Sequence, residues 1–218
     1  MDANAFEKSN LNTVKRLPKR GFYDKETIYG ILNDHFLCHL SWEDHGQPFI
    51  IPTAYGRKED TLFVHGSSKS RMLSALADGR PLCMVVTIID ALVLARSAFH
   101  HSMNYRSVVI YGHAREIDGD EKMDALRIVS DQILPGRWHE VRLPTDIEMK
   151  ATTVLAIDID SASAKIRTGP PGDDTEDYEL PIWAGILPIH LSYDEPVEDP
   201  AMRHQIPPSQ SIFSRVKR

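Results

Sequence analysis

The stretch that decides the fold is Phe63-Val64-His65-Gly66-Ser67-Ser68-Lys69-Ser70-Arg71-Met72. An alternating strand pattern ends here, a glycine breaks it, and a helix is predicted over 69–78. A helix N-terminus presents free N–H groups and the positive end of the helix dipole, so it attracts anions. Lys69 and Arg71 add full charges, and the serines add hydroxyl donors. The segment therefore predicts a cradle for a phosphate monoester; the alternative is a serine-capped helix with ordinary solvated charges.

The segments on either side of this cradle predict a mainly antiparallel sheet. Most strands are separated by links short enough for hairpins. Helical patterns occur between some strands, but strands and helices do not alternate regularly as they do in a βαβ fold. This favours an antiparallel barrel with peripheral helices over a parallel α/β sheet. Pro52 lies inside one strand, which should therefore be an edge strand or carry a bulge. The predicted strands are 35–42, 47–55, 61–65, 82–89, 91–98, 105–117 and 152–159.

Composition excludes several functional classes. The chain has 218 residues, 42% of them hydrophobic and 26% charged, which is typical of a globular protein. A net charge of −6 argues against a duplex nucleic-acid binder. Cys38 and Cys83 are too few for a disulfide framework or a metal knuckle, and no metal site is predicted. The N-terminal residues lack the apolar run of a signal peptide, so a cytoplasmic protein is expected.

Three segments of the chain differ in composition. Residues 1–20 are polar and are expected to form a loosely ordered arm, and 21–169 would be the barrel domain. Residues 170–218 form an acidic, proline-rich extension: eight of the 14 prolines lie within 168–218. Its apolar stretch 181–188 predicts an arm that packs on the body or on a partner subunit, with Trp183 buried.

Two further segments carry weaker signals. The strand that begins at Asn104-Tyr105-Arg106-Ser107 starts with an aromatic ring, a cation and a hydroxyl before its apolar residues. Alternation also places Lys165 and Arg167 on one face near the end of the barrel domain. Each pattern also occurs in ordinary surface packing, so neither assigns a function by itself.

Taken in order, these segments resemble the pyridoxamine 5'-phosphate oxidase-like, FMN-binding split-barrel family. The match extends over about 16–208, and the subgroup is similar to 5-nitroimidazole resistance proteins. It rests on Arg20-Gly21-Phe22-Tyr23-Asp24, Gly46-Gln47-Pro48-Phe49-Ile50-Ile51-Pro52-Thr53, His65-Gly66-Ser67-Ser68-Lys69-Ser70-Arg71, Tyr105-Arg106-Ser107-Val108 and Trp183-Ala184-Gly185-Ile186-Leu187-Pro188.

The resemblance implies a fold, a cofactor and an assembly. The fold would be a six-stranded antiparallel split β-barrel that forms a homodimer with FMN in the clefts between subunits. The flavin would carry the redox chemistry, so no protein nucleophile is required. The residues implied to contact the cofactor are Ile51, Pro52, Thr53, Ala54, His65, Gly66, Ser67, Lys69, Ser70, Arg71, Tyr105, Arg106 and Ser107.

The chain departs from the family at the substrate motif. Pyridoxamine phosphate oxidases carry Arg-x-His near the C-terminus, whereas this chain has Lys165-Ile166-Arg167 and then the extension. We therefore expect an FMN-dependent oxidoreductase acting on another small molecule, such as a nitro or quinone-like compound. Two alternatives stay open: a flavin-binding module without turnover, and a haem-binding or haem-degrading split barrel. The histidines open to haem ligation are His35, His39, His65, His100 and His101.

Overall fold

A computed structural model describes residues 3–215. Its strands are β1 (Gly21–Phe22), β2 (Leu37–Asp44), β3 (Gln47–Ala54), β4 (Gly56–Lys58), β5 (Thr61–Ser67), β6 (Pro81–Leu94), β7 (Ser102–Ile117), β8 (Thr152–Arg167) and β9 (Gly185–Pro188). Its helices are α1 (Lys25–Asn33), α2 (Arg71–Ala77), α3 (Gly119–Ile133), α4 (Asp146–Ala151) and α5 (Gln210–Phe213). No helix within 3–215 is long and apolar enough to cross a membrane.

The strands form one antiparallel sheet in the order β3-β2-β6-β7-β8-β5-β4. Six of them have seven residues or more, which confirms the mainly β, antiparallel split barrel with peripheral helices. Three short strands raise the total described to nine: β4 continues the sheet beyond β5, β1 adds to β8, and β9 adds to β6. The order is not closed, and β3 is at one end of it, as its internal Pro52 predicts.

Two strands are longer than their sequence pattern indicates. Residues 82–89 and 91–98 were expected to be separate strands, but β6 is continuous over Pro81–Leu94, with a register shift between Ile89 and Ala91. Likewise β8 extends past 159 to Arg167, across a shift opposite Tyr111 and Gly112. A bulge inserts one residue and reverses the alternation of faces, so a continuous bulged strand resembles two short ones in sequence.

The core fixes the position of the cradle. Asp24 accepts a hydrogen bond from the Thr27 N–H and caps α1, whose Ile28, Ile31 and Leu32 are buried as their spacing predicts. Helix α2 buries one apolar face in the same large cluster of buried residues, which is the main core of the protein. A smaller core lies under α3 and contains Phe63 of β5, with Ala54 of β3 packed against it. The two cores therefore hold β3, β5 and the start of α2 against one body.

The N-terminal arm is docked, not loosely ordered. Phe6 is buried, and its N–H donates to the carbonyl of Tyr23 at 2.9 Å. Asn12 is also buried, and its amide donates to the carbonyl of Ala162 on β8 at 3.1 Å. Hydrogen bonds from the main chain and from an amide side chain leave no hydrophobic pattern in the sequence. The sequence therefore predicts a loosely ordered arm where the structure has a docked one.

The extension packs on the barrel, and part of the predicted segment 181–188 forms its strand. Its strand β9 pairs with Ala91–Leu94 of β6. Asp173 has a fully buried side chain and forms an ion pair with Arg96 at 3.0 Å. Arg96 in turn lies over the ring of Tyr178, 4.7 Å from its centroid. Trp183, by contrast, is 70% exposed in the single chain, so it is not buried on its own body, and its burial against a partner subunit stays a prediction.

Candidate functional site

The turn between β5 and α2 is held by its own serines. The hydroxyl oxygen of Ser70 accepts from the Leu73 N–H at 3.4 Å and caps α2. The hydroxyl oxygen of Ser67 accepts from the Lys69 N–H at 3.2 Å. Each hydroxyl keeps a hydrogen that it can donate outward. The predicted cradle is thus a preformed turn and not a loose loop.

Two cations at this turn are uncommitted. Lys69 and Arg71 are both exposed. The nearby Arg80 is held by Asp44 at 2.5 Å, whereas neither Lys69 nor Arg71 forms an ion pair with any residue in 3–215. Two cations without an ion pair in the described chain, beside two hydroxyl groups, can bind a dianionic phosphate.

An aromatic platform positions Arg71. Its guanidinium lies 4.2 Å from the ring centroid of Phe49, a cation–π contact. Phe49 is stacked on the buried Trp42, with ring centroids 5.3 Å apart. Sequence reasoning missed this role, because Phe49 on β3 and Arg71 on α2 carry no local signal that joins them. The contact places the charge beside the edge strand.

Strand β3 provides the open edge of the site. It pairs only with β2, so the other side of its backbone has no strand partner in the described sheet. Ile50 and Ile51 are 61% and 39% exposed. Thr53 is tied back to β2, where the Cys38 thiol donates to its carbonyl at 3.4 Å. Free backbone groups next to exposed apolar side chains suit a flat heterocycle with polar edges.

His65 lies on β5, two residues before Ser67, and has one polar atom without a partner. It is half-buried, and its Nδ1 atom is shielded from solvent with no hydrogen-bond partner. Burial lowers the pKa of His65 below its usual 6.5, so the imidazole is neutral near pH 7. Buried polar atoms are normally satisfied. His65 Nδ1 is an exception to this among the described residues.

Gly66 lies where β5 approaches α2. A Cβ atom built at Gly66 would be 3.2 Å from the Leu73 side chain, tighter than most such contacts. The glycine thus permits the close packing that places His65 next to the cradle.

The predicted residues of β7 occupy a different part of the sheet. Arg106 makes hydrogen bonds with both carboxylate oxygens of Asp90 at 3.0–3.2 Å and with Asp34 at 2.5 Å. The bonds to Asp90 outweigh partial burial and raise the pKa of Arg106. Ser107 donates to the carbonyl of Lys165 at 3.3 Å. The charge of Arg106 is therefore already balanced by two acids.

The structure brings together two of the three groups of predicted residues. Ile51, Pro52, Thr53 and Ala54 lie on β3, and His65, Gly66, Ser67, Lys69, Ser70 and Arg71 lie at the cradle that Phe49 joins to it. Tyr105, Arg106 and Ser107 lie on β7, three places from β3 in the sheet order. Within one chain, the first two groups form the candidate site.

The fold and these residues define a class: a split barrel with a serine-capped turn, carrying two cations, beside an open edge strand. The model of the Pyridoxamine 5'-phosphate oxidase family matches residues 24–166. The chain therefore belongs to the pyridoxamine 5'-phosphate oxidase-like split-barrel family, as the resemblance predicted.

Two solved structures are similar over nearly the whole chain. The flavocytochrome Anf3 from Azotobacter vinelandii is 38% identical with a TM-score of 0.87, and the alignment covers 96% of this chain and 98% of that one. The FAD and heme binding protein from Mycobacterium smegmatis is 34% identical with a TM-score of 0.86, and the alignment covers 90% and 97%. A search of curated proteins found no match.

A third structure is more distant. A protein described as a 5-nitroimidazole antibiotic resistance protein from Bacteroides thetaiotaomicron is 21% identical with a TM-score of 0.54. Its alignment covers 67% of this chain and 86% of that one, and at this identity it shows the fold alone. The family model ends at residue 166, before the extension. The alignments with the two flavin-related structures cover 96% and 90% of the chain, so they include most of the extension.

Proposed function

We propose that the protein is a flavin-dependent oxidoreductase that binds its cofactor between β3 and the cradle. The observation that carries this proposal is the junction of two unpaired cations with an open edge strand, linked by the Arg71–Phe49 contact. When bound, the flavin supplies the redox chemistry, and the protein positions it.

Each part of the site has a distinct task. Lys69 and Arg71 hold the ribityl phosphate, with the outward hydrogens of Ser67 and Ser70 as further donors. The backbone of β3 borders the isoalloxazine ring. His65 stands next to the cradle as a neutral imidazole. No residue is assigned to proton transfer.

FMN is the cofactor we propose, with FAD as the alternative. The cradle recognises the ribityl phosphate, which both nucleotides contain. The described FAD binding of the Mycobacterium smegmatis protein favours the alternative at 34% identity. Acid extraction of the purified protein followed by chromatography identifies the nucleotide, and absence of both would contradict the proposal.

We further propose a homodimer with flavin between the subunits. In one chain, Tyr105, Arg106 and Ser107 lie three strands from β3. They would reach the same cofactor from a second copy. The outer side of the sheet also carries exposed apolar side chains, such as Ile89 at 44% and Ile50 at 61%. Such surfaces are typical of subunit contacts.

A second candidate function is a flavohaemoprotein. The observation that favours it is the likeness to a flavocytochrome and to an FAD and heme binding protein, at 38% and 34% identity, over an alignment that includes most of the extension. The two cofactors are compatible, because the flavin site lies on β3 and α2 and leaves the extension free.

One spectrum and one reduction test these functions. Purified protein should show the two-band absorption of an oxidised flavin, and a Soret band would add haem. Bleaching of the flavin bands by NAD(P)H without air, with return in air, supports an oxidoreductase. If NAD(P)H does not reduce the bound flavin, and neither nitro compounds nor quinones reoxidise the chemically reduced flavin, the protein is a binding module without turnover.

A further inference from the structure

Strand β8 ends in two cations that the cradle does not use. Lys165 and Arg167 are alternate residues of this strand, so they lie on one face of it, as their spacing predicts. On the neighbouring strand β7, Tyr105 is opposite Arg167, and Ser107 is opposite Lys165. Residues directly opposite each other share a face, so both cations stand beside the Tyr105 side chain.

Arg167 is a buried cation without an acidic partner. It is 8% exposed, and it forms no ion pair with any carboxylate within 3–215. The other buried cation of the described chain, Lys122, lies 3.5 Å from the carboxylate of Asp118. A charge removed from water is normally paired, because its desolvation is costly. The position of Arg167 therefore favours an anion that the described chain does not supply.

The guanidinium of Arg167 is fixed on one side and open on the other. Its Nη1 donates to the side-chain oxygen of Asn104 and, at 3.4 Å, to the carbonyl of Gly169. Asn104 is also buried, and its amide donates to the same carbonyl at 3.2 Å. The Nε and Nη2 atoms make no hydrogen bond within 3–215, and neither is fully enclosed. An arginine uses these two donors together to bind an oxyanion through parallel hydrogen bonds.

Two further cations lie close to Arg167. Arg20 ends a turn that leads into β1, where Gly21 is opposite Lys165. Burial, and then the charge of Arg20, lower the pKa of Arg167, although a guanidinium stays protonated. Neither Arg20 nor Lys165 forms an ion pair within 3–215. Three cations without an acidic partner thus form a positive patch in a chain of net charge −6.

Within one chain, this patch is separate from the cradle. His65, next to the cradle, is opposite Val154 of β8. Arg167 lies on the same strand, 13 residues after Val154. The two groups are therefore at opposite ends of β8. The face with the cations continues onto β6, where Ile89 is opposite Tyr105 and is 44% exposed.

We propose that Arg167, Lys165 and Arg20 bind the carboxylate or phosphate of an anionic substrate, whose apolar body lies on Ile89. This rests on the proposed function, which brings Tyr105 of one copy to the flavin of the other. The open edge of Arg167 forms two hydrogen bonds with the oxyanion, and the other two cations add charge. The substrate class is therefore a small organic acid or phosphate ester, in preference to an uncharged nitro compound or quinone.

The first test observes Arg167 directly by NMR in the flavin-loaded protein, in which the flavin phosphate fills the cradle. The Nε–H signal of Arg167 is the one that disappears in Arg167→Lys, which keeps the charge and loses the two-donor edge. Benzoate and inorganic phosphate should shift this signal in a saturable way, and uncharged benzamide should not. The signal of Arg115, which is paired with Glu121, is the control and should not move. A signal that neither anion shifts would overturn the site.

The second test asks whether the bound anion lies against the flavin. Benzoate should perturb the flavin absorption bands, and Arg167→Gln should weaken its binding roughly 10- to 150-fold, the worth of a charge-assisted hydrogen bond. Lys165→Gln, at a half-buried position, should weaken it less and keeps the test valid if Arg167→Gln does not fold. Lys19→Gln removes an exposed charge from the same turn as Arg20 and should bind benzoate as wild type does.

Three results would overturn the substrate assignment. An NMR shift without a change in the flavin bands would place the anion away from the flavin. A loss of affinity for FMN but not for riboflavin in Arg167→Gln apoprotein would assign the patch to the flavin phosphate. Dissociation of Arg167→Gln into monomers would assign it to the acidic extension of a second copy. Saturable anion binding by a protein that holds no flavin would instead refute the proposed function and leave the oxyanion site standing.

Discussion

At the scale of single residues, two arginines of the predicted site differ in whether an acidic side chain pairs with them. Arg106 forms ion pairs with Asp90 and Asp34, whereas Arg71 lies over the ring of Phe49 and forms no ion pair within 3–215. The family resemblance implied that both arginines contact the cofactor. Sequence could not separate them, because Asp34 is 72 residues away from Arg106 and Asp90 stands at a bulge that the pattern hides.

Arg106→Ala should therefore act on stability and not on the phosphate. It leaves Asp90 without its cation, and for a partly exposed pair the cost is about 1 kcal/mol. Urea unfolding should show a lower midpoint with an unchanged slope. Binding of FMN and of riboflavin should change by the same factor. A loss confined to FMN would mean that Arg106 leaves its acids and contacts the phosphate.

His65 should make stability depend on pH. Its folded-state pKa lies below 6.5 because of burial, so the unfolded chain binds the proton more readily. The stability that neutral His65 contributes is present above about pH 6.5 and is lost as pH falls toward the lower folded pKa. Urea unfolding of the apoprotein from pH 7.5 to 5.5 should give a shallower decline in His65→Gln. Equal slopes would show that His65 is solvated.

At the scale of elements, regular helices are predictable from sequence and bulged strands are not. Ile28, Ile31 and Leu32 follow helical spacing and are buried on α1. The register shifts at Ile89 and Tyr111 reverse which side chains face the core, so the sequence pattern does not reveal the full length of β6 and β8. The docking of β9 depends on main-chain pairing, which many different sequences allow.

The extension should depend on Arg96 more than on Trp183. Burial alone would raise the pKa of Asp173, but hydrogen bonds from Arg96 and Ser97 outweigh it and lower the pKa. Arg96→Ala removes the cation of a buried carboxylate, so limited proteolysis should cleave within 170–208 several times faster. Trp183→Ala, at an exposed ring, should leave cleavage of a monomeric sample unchanged. Faster cleavage of Trp183→Ala than of Arg96→Ala would show that the tryptophan anchors the arm.

At the scale of the whole molecule, the proposed flavin site takes its β7 residues from a second copy of the chain. We expect a homodimer in solution with an interface above roughly 2,000 Å² in total. Ile50→Asp, at an exposed position of β3, should lower dimer content and flavin content together. Light scattering at micromolar concentration with flavin absorbance measures both. A monomer that keeps its flavin would contradict this assembly.

The most direct test of the central claim, a flavin phosphate in the cradle, is calorimetric titration of FMN and riboflavin into apoprotein. A charge-assisted hydrogen bond contributes about 1.5–3 kcal/mol, so Arg71→Ala should weaken FMN roughly 10- to 150-fold. Riboflavin, which lacks the phosphate, should bind nearly as before, and the FMN loss should shrink as salt rises. Arg115→Ala, at an exposed ion pair with Glu121, is the control. Equal losses for both ligands, or none for either, would contradict the claim.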